Sequence, residues 1–187
     1  MKKTALIMAI VLAVMCLFAG CGKTEQPAAD PETPAVEDPV NASLANPMVE
    51  TTADDIINTF GFRFGEIEGA QDVKYFLING DLAQMSFTKD GLDYTARIQS
   101  AGEFTDISGM NYTWTVTDDC KIGYSDGKCM RYISDTEQVD LCEWYDIAPG
   151  IMYSLSAGGE GADLDGFDIT AIANQIFVPL QGEADGE

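Results

Sequence analysis

The chain has 187 residues, in which 31 acidic side chains outnumber 10 basic ones, so its formal net charge at pH 7 is -21. A charge of this sign and size repels nucleic acids and anionic lipid headgroups, which excludes nucleic acid as a partner. Histidine is absent, and this excludes Ser-His-Asp and Cys-His catalytic systems as well as histidine metal sites.

Residues 1–20 are typical of a bacterial lipoprotein signal peptide. Two lysines form a basic head, an uncharged apolar run extends from Thr4 to Gly20, and small residues precede Cys21. This ending resembles the lipobox, in which the cysteine becomes the first mature residue and its sulfur carries a diacylglycerol. Phe18 stands where the lipobox usually has an aliphatic residue, so a plain signal peptide and an uncleaved anchor stay open as alternatives. We predict lipidation at Cys21 and attachment to the outer face of the bacterial cytoplasmic membrane.

Residues 21–47 are predicted to form a lipid-anchored, disordered tether rich in Pro, Glu and Ala. Five of the seven prolines lie between Lys23 and Pro47, among residues with little apolar surface to bury. A flexible chain of this length averages roughly 25–30 Å from end to end, which would hold a folded domain away from the bilayer. A single domain is predicted for residues 48–180, followed by an acidic tail at residues 181–187.

The predicted domain begins with a helix. Ala53, Ile56, Ile57 and Phe60 recur at the spacing of one helix face. Thr51-Thr52 is expected to cap this helix and Gly61 to end it.

A hairpin follows, with Asp90-Gly91 as its two-residue turn. Setting the turn there pairs apolar with apolar and polar with polar residues, as in Phe87/Tyr94, Met85/Ala96, Ala83/Ile98, Thr88/Asp93, Ser86/Thr95 and Gln84/Arg97. In the hairpin before it, the same matching favours a loop one residue longer than Asn79-Gly80, which places Val73, Tyr75 and Leu77 beside Ala83, Met85 and Phe87.

Alternating residues predict five further strands, at Tyr112–Val116, Lys121–Tyr124, Lys128–Ile133, Val139–Tyr145 and Ile151–Leu155. Turns are expected at Asp126-Gly127, Ser134–Thr136 and Pro149-Gly150. The last element is a helix with Ile169, Ile172, Ala173 and Ile176 on one face, capped by Asp165 and ended by Pro179. The predicted fold is α+β: an antiparallel sheet of about eight short strands, with an N-terminal and a C-terminal helix packed on one face and a solvated polar face opposite.

Candidate ligand-binding residues lie on the strands. Arg97, with Gln84 beside it, can hold a carboxylate or phosphate as a bidentate fork, although it can equally pair with one of the many acidic side chains. Trp144 and Tyr153 can bind a glycan or peptide, although aromatic residues in small sheets usually belong to the core. Loop residues Asp106, Ser108 and Gly109 are predicted to form a tight structural turn, since Ser108 has no histidine partner.

Three cysteines belong to the predicted domain: Cys120, Cys129 and Cys142. Outside the cytoplasm a disulfide between two of them is expected to be able to form, which would leave one thiol over. None is part of a C-x-x-C pair, and the acidic stretch 161–168 lacks the carboxylates that an EF-hand needs at its first and last ligand positions. No metal and no cofactor is therefore predicted.

Several of these short motifs occur together in one known group of proteins. They are Tyr94-Thr95-Ala96-Arg97, Asp106-Ile107-Ser108-Gly109, Tyr112, Trp144 and Tyr153-Ser154. Over roughly residues 46–156 the chain resembles uncharacterised bacterial lipoproteins, mostly of Firmicutes, near the domain of unknown function 4367 family. The resemblance implies a surface lipoprotein with an α+β domain, and it supplies no catalytic residues.

Together these patterns favour a non-enzymatic, membrane-anchored domain that binds a peptide, an envelope protein or a small ligand through its open sheet face. One alternative is a glycan-active enzyme that uses two carboxylates facing each other across a cleft, about 5–10 Å apart. Another is an accessory or structural subunit of an envelope complex, which a large exposed apolar patch would favour.

Overall fold

The computed structural model describes residues 48–179. The signal peptide, the lipidation site, the tether and the acidic tail predicted above lie outside the described residues. The elements in chain order are β1 Met48–Thr51, α1 Ala53–Phe60, β2 Gln71–Ile78, β3 Leu82–Lys89, β4 Leu92–Ser100, β5 Val116–Ile122, β6 Ser125–Ile133, β7 Glu137–Asp146, β8 Ile151–Glu160 and α2 Ile169–Ile176.

All eight strands form one antiparallel sheet in the order β1-β2-β3-β4-β8-β7-β6-β5. Two four-stranded meanders, β1–β4 and β5–β8, are joined side by side through β4 and β8. The predicted α+β class with an antiparallel sheet is confirmed. Because β4 is central and β5 is an edge strand, residues 101–115 must cross the sheet to connect them; we call these residues the covering segment.

The first helix and the hairpins around β3 form as the local sequence predicts. The Thr52 side chain accepts a hydrogen bond from the N–H of Asp55, and Gly61 ends α1 in the left-handed conformation. The β3–β4 register has every predicted pair, from Thr88 opposite Asp93 to Ala83 opposite Ile98. The β2–β3 loop is one residue longer than Asn79-Gly80, and a bulge near the start of β2 shifts the pairing there.

Three local predictions are wrong: the strand at Tyr112–Val116, the strand at Lys121–Tyr124 and the turn at Asp126-Gly127. The residues from Tyr112 to Trp114 do not form a strand, because β5 begins only at Val116. The chain turns at Gly123-Tyr124, and Asp126 and Gly127 are strand residues of β6. A side chain at Gly127 would come within 2.6 Å of the Glu143 carbonyl oxygen and 3.0 Å of Trp144 Cβ. The glycine therefore permits close packing here instead of forming a turn.

The C-terminal helix is shorter than predicted at both ends. Its cap is Asp168 instead of Asp165, since the Asp168 carboxylate accepts a hydrogen bond from the N–H of Thr170. It ends at Ile176, before Pro179 is reached. The four residues predicted to share its apolar face are all buried.

The hydrophobic core lies on one face of the sheet. It contains Ala83, Met85, Phe87, Tyr94, Ala96, Ile98, Cys142, Trp144, Tyr153 and Leu155 from the strands, with Ile56 of α1 and Ile169, Ile172, Ala173 and Ile176 of α2. On the opposite face, Met152 and Leu141 are also buried. The prediction of a solvated opposite face is therefore wrong at the centre of the sheet, where the covering segment lies.

Candidate functional site

Arg97 connects the covering segment to the sheet by hydrogen bonds. Its Nε donates to Gln84 Oε1 over 2.9 Å, and its Nη1 donates to the carbonyl oxygens of Ile107 and Ser108 over 3.1 and 2.6 Å. Gln84 is itself buried. Arg97 and Gln84, which the sequence suggested as a ligand-binding pair, thus lie together on one face of the sheet. They are hydrogen-bonded to each other, and Arg97 is also hydrogen-bonded to the covering segment. Ligand binding through them stays a prediction, and it requires the covering segment to move away.

The predicted turn at Asp106, Ser108 and Gly109 is the part of the covering segment that Arg97 holds. Asp106 Oδ1 accepts hydrogen bonds from the N–H and the hydroxyl of Ser108 at 2.7 and 2.6 Å. The Ser108 hydroxyl oxygen in turn accepts from the N–H of Met110. Gly109 has a positive φ of 66°, and a Cβ there would lie 2.5 Å from Arg97 Nη1. These residues form a turn whose carbonyls face the guanidinium.

A pair of carboxyl groups lies beside this turn. Glu143 of β7 is only 4% exposed, and burial, together with the charge of Asp106, raises its pKa to about 8. Although desolvation opposes it, hydrogen bonds from Ser108 and Glu143 lower the pKa of Asp106. At neutral pH the Glu143 carboxyl is therefore mainly protonated, and its Oε1 atom is buried without a hydrogen-bond partner among the described residues. Sequence reasoning missed Glu143, because only the strand register places it beneath the covering segment.

This carboxyl pair differs from the arrangement that a glycan-active enzyme requires. Asp106 and Glu143 lie close enough for each to shift the pKa of the other, whereas the two carboxyls of a glycosidase are separated by about 5–10 Å across a substrate cleft. Five cavities among residues 48–179 have linings that do not include Glu143, Asp106 or Arg97. The Asp106 and Glu143 carboxyls can therefore share a proton, and Arg97 holds the covering segment on the sheet.

The two aromatic candidates lie on the other face of the sheet. Trp144 and Tyr153 are neighbours across β7 and β8, with stacked rings 4.9 Å apart. Both are buried in the hydrophobic core, and Phe177 packs edge-on against Tyr153. The structure therefore does not bring Trp144 and Tyr153 into one site with Arg97 and Gln84.

An exposed apolar groove lies at one end of the sheet, where three connections meet. It has a volume of about 450 Å³ and is lined by Phe104, Tyr124, Ser125, Asp126, Tyr145, Asp146, Ile147 and Ala148. The side chains of Phe104, Tyr124 and Ile147 are 43%, 49% and 80% exposed. We call this surface the aromatic groove. Its residues come from the covering segment, from two turns and from the adjoining ends of β6 and β7, so no single sequence motif could have identified it.

Polar groups also line the aromatic groove, and two of its tyrosine hydroxyls make hydrogen bonds within the domain. The Tyr124 hydroxyl donates to Asp146 Oδ2 over 2.9 Å, and the Tyr145 hydroxyl donates to the carbonyl oxygen of Ala101 over 3.1 Å. Ser125 Oγ is buried and has no hydrogen-bond partner among residues 48–179. A ligand that carries both an apolar face and a polar atom would match these features.

The three cysteines of the domain come together, one from each of β5, β6 and β7. Cys129 Sγ lies 2.8 Å from Cys120 Sγ and 3.3 Å from Cys142 Sγ, and the Cys120–Cys142 separation is 3.8 Å. All three are free thiols in this structure. The hydrogen bond between Cys142 and Cys120 lowers the pKa of Cys120 to about 7 and raises that of Cys142. We call this group the thiol cluster; a disulfide within it stays a prediction.

Within the described part of the chain, the thiol cluster is the one group of Cys, Asp or Glu side chains close enough to hold a metal ion. The acidic stretch 161–168 contains no such group; there Asp163 accepts a hydrogen bond from the N–H of Asp165. Sequence reasoning did not predict the cluster, since its members are separated by 9 and 13 positions.

Neither helix in residues 48–179 has the length and apolar character needed to cross a membrane. No protein-family model matches the chain, and neither a curated protein nor a solved structure matches it. The likeness to bacterial lipoproteins accordingly stays a prediction from the motifs alone.

Proposed function

We propose that this protein is an extracytoplasmic lipoprotein whose folded domain is a non-enzymatic binding domain. The diacylglycerol on Cys21 anchors the chain to the outer face of the cytoplasmic membrane, and residues 21–47 connect it to the sheet domain. The basic, apolar and small-residue order of residues 1–21 supports the anchor. Loss of both signal-peptide lysines would leave 8 basic residues against 31 acidic ones, so the domain would be strongly anionic at the membrane surface.

The arrangement of the helices belongs to this proposal. Buried residues of α1 and α2 belong to the same hydrophobic core, which supports placement of both helices on the core face of the sheet. The covering segment then occupies the other face. With both faces covered at the centre, binding takes place at the ends of the strands.

The observation that carries the binding function is the aromatic groove. Large apolar side chains that stay exposed together on an anionic domain mark an interaction surface more often than a random surface feature. Tyr is over-represented among the residues that dominate binding energy, and Phe is enriched in protein interfaces. The buried Ser125 hydroxyl adds a polar contact. We propose that the groove binds an apolar segment of an envelope protein, neutral or basic in charge because the domain repels anions.

Photo-crosslinking in native envelopes tests the binding function. The full chain with Phe104→Ser and Ile147→Asp is compared with the wild-type chain and with Val49→Asp. Val49 is similarly exposed, at 59%, but lies on β1 at the opposite edge of the sheet. We expect the same crosslinked protein with the wild type and with the Val49 variant, and its loss from the groove variant. A crosslink that survives in the groove variant would overturn the assignment.

The anchor has its own test, which is independent of the groove. Labelled palmitate is expected to enter the wild-type chain and not the Cys21→Ser variant. Label that persists after this substitution would show that the lipid, if any, is attached elsewhere.

A further inference from the structure

The thiol cluster lies at the junction of the core with the edge of the sheet. Cys142 is buried, whereas Cys120 and Cys129 are partly buried. Cys129 also lines a cavity of about 300 Å³ between the edge strands and the start of α2. Solutes therefore have a route to the cluster through Cys129, while Cys142 fixes its inner side.

The placement of the thiols depends on the strand register. Cys129 and Cys142 are directly opposite each other on β6 and β7. Cys120 is opposite Gly127 on β5 and β6, so its sulfur reaches diagonally towards Cys129. Since Gly127 has no side chain, its position leaves room for Cys120 Sγ, which would lie 3.3 Å from a Cβ there. Three adjacent strands thus direct three sulfur atoms to one point.

We propose that Cys120, Cys129 and Cys142 form a binding site for a thiophilic metal ion with a filled d shell, such as Cu(I) or Zn(II). Sulfur ligands select these ions, whereas carboxylate and carbonyl oxygens suit Mg, Ca and Mn. The sulfurs lie within 4.8 Å of one another. A metal–sulfur bond of about 2.3 Å requires sulfur separations of about 3.8–4.0 Å. The Cys120–Cys142 distance already has this value, and the movement of partly buried Cys129 would lengthen the other two by about 0.5–1 Å.

Binding involves no change of oxidation state. Each thiol that bonds to the ion releases its proton to solvent, so affinity increases with pH. Three thiolates would complete a trigonal Cu(I) site, whereas a tetrahedral Zn(II) site would have one further position for a solvent ligand. This metal site is separate from the aromatic groove and does not depend on the function proposed above, because the two share no residue.

A disulfide is the competing state of the same residues. Directly opposed residues of antiparallel strands have Cα atoms about 4.5–5.5 Å apart, which is within the range for a disulfide. An external two-electron oxidant such as O2 would join Cys129 to Cys142, or to the nearer sulfur of Cys120. Either disulfide removes both thiol protons and two of the three ligands. The two states exclude each other, so one experiment can decide between them.

The test uses the full chain with Cys16→Ser and Cys21→Ser, so that the thiol cluster contains the only thiols. The protein is reduced, kept anaerobic and titrated with Cu(I) and, separately, with Zn(II) against a chelator of known affinity. We expect one ion per chain and, with Cu(I), an ultraviolet thiolate-to-metal absorption band. Because loss of a residue that only orients a ligand costs about 10- to 100-fold in affinity, Cys129→Ser is expected to cost at least about 100-fold.

Two further variants keep the test decisive. Cys120→Ser removes the other partly buried ligand. It is used in place of a Cys142 variant, because substitution of the buried Cys142 can unfold the domain. Lys128→Ser changes the exposed neighbour of Cys129 and leaves all three sulfurs in place, so its affinity should equal that of the parent chain. Absence of stoichiometric binding, or equal affinity in all variants, would overturn the proposal. So would a disulfide within the cluster in protein recovered, unreduced, from the cell envelope.

Discussion

Substitution of Glu143 by glutamine should change the pH dependence of stability. The free energy of unfolding of the variant, relative to that of the wild type, should be higher at neutral pH than at acidic pH. In the folded state the pKa of Glu143 is raised from 4.5 to about 8 by burial and by the charge of Asp106. In the unfolded chain this carboxyl ionises near 4.5. Between these two values the folded state holds a proton that the unfolded state has released, so stability falls as pH rises.

The magnitude follows from the size of the pKa shift. Each pH unit inside the window costs about 1.4 kcal/mol of unfolding free energy. From pH 5 to pH 7 the wild type should therefore lose about 2–3 kcal/mol through Glu143. A glutamine cannot ionise, yet its amide N–H can still donate to Asp106. The free-energy difference between the Glu143→Gln variant and the wild type should thus increase by about 2–3 kcal/mol, in favour of the variant, over this range.

Urea unfolding of both proteins at pH 5 and pH 7 measures this change. Glu103→Gln is the matched control, because it makes the same side-chain exchange at an exposed residue of the covering segment. Its free-energy difference from the wild type should change by no more than about 0.5 kcal/mol between the two pH values. If the Glu143 variant shows the same difference from wild type at both pH values, the raised pKa of Glu143 has been assigned wrongly.

Three further substitutions test the turn, its anchor and the second helix, each by urea or thermal unfolding. Gly109→Ala should cost about 2 kcal/mol or more, since the positive φ is strained for alanine and the added Cβ meets Arg97; Gly102→Ala, in open space, should stay within about 0.5 kcal/mol. Arg97→Lys should cost about 3 kcal/mol, because a lysine cannot reproduce about two of the three hydrogen bonds. Asp168→Ala should cost about 1 kcal/mol as loss of a helix cap, and an equal or larger loss for Asp165→Ala would contradict the assigned cap.

Sequence predicted the parts of the fold that depend on neighbouring residues. The Asp90-Gly91 turn and strict alternation were enough to set the β3–β4 register, because a slip of one residue would have exposed Phe87 and Met85. The helix at Ala53–Phe60 needed only its apolar spacing and two end signals. In both cases the decisive interactions lie within about ten residues.

The errors occurred where a distant partner decided the local structure. Asp126-Gly127 has the composition of a turn, but Gly127 is required by the close approach of Glu143 and Trp144 on the next strand. Tyr112 and Trp114 alternate like strand residues, yet their rings pack against each other and Tyr112 packs on Tyr132. Their alternation comes from the packing of these side chains, and the residues pair with no strand among residues 48–179.

The predicted turns did not bring the three cysteines together. A loop of residues 134–136 sets Ile133 opposite Glu137 and therefore Cys129 opposite Leu141, whereas the structure pairs Ile133 with Gln138 and Cys129 with Cys142. The predicted Asp126-Gly127 turn likewise gave β5 and β6 the wrong register. With the turn at Gly123-Tyr124, Cys120 lies opposite Gly127. Small errors in two turns therefore concealed a three-residue site.

The covering segment explains why a polar strand face need not be a binding surface. The strand order leaves β8, β7 and β6 between the end of β4 and the start of β5, a crossing of about 19 Å at the usual strand spacing. The backbone of a crossing segment needs hydrogen-bond partners, and a polar sheet face supplies them through side chains such as Arg97 and Gln84. Weakening this anchor by Arg97→Lys should therefore expose the covered face, including Met152 and Leu141, before the sheet itself unfolds. Hydrogen exchange should detect this as earlier loss of protection in residues 101–115 than in β3 and β4.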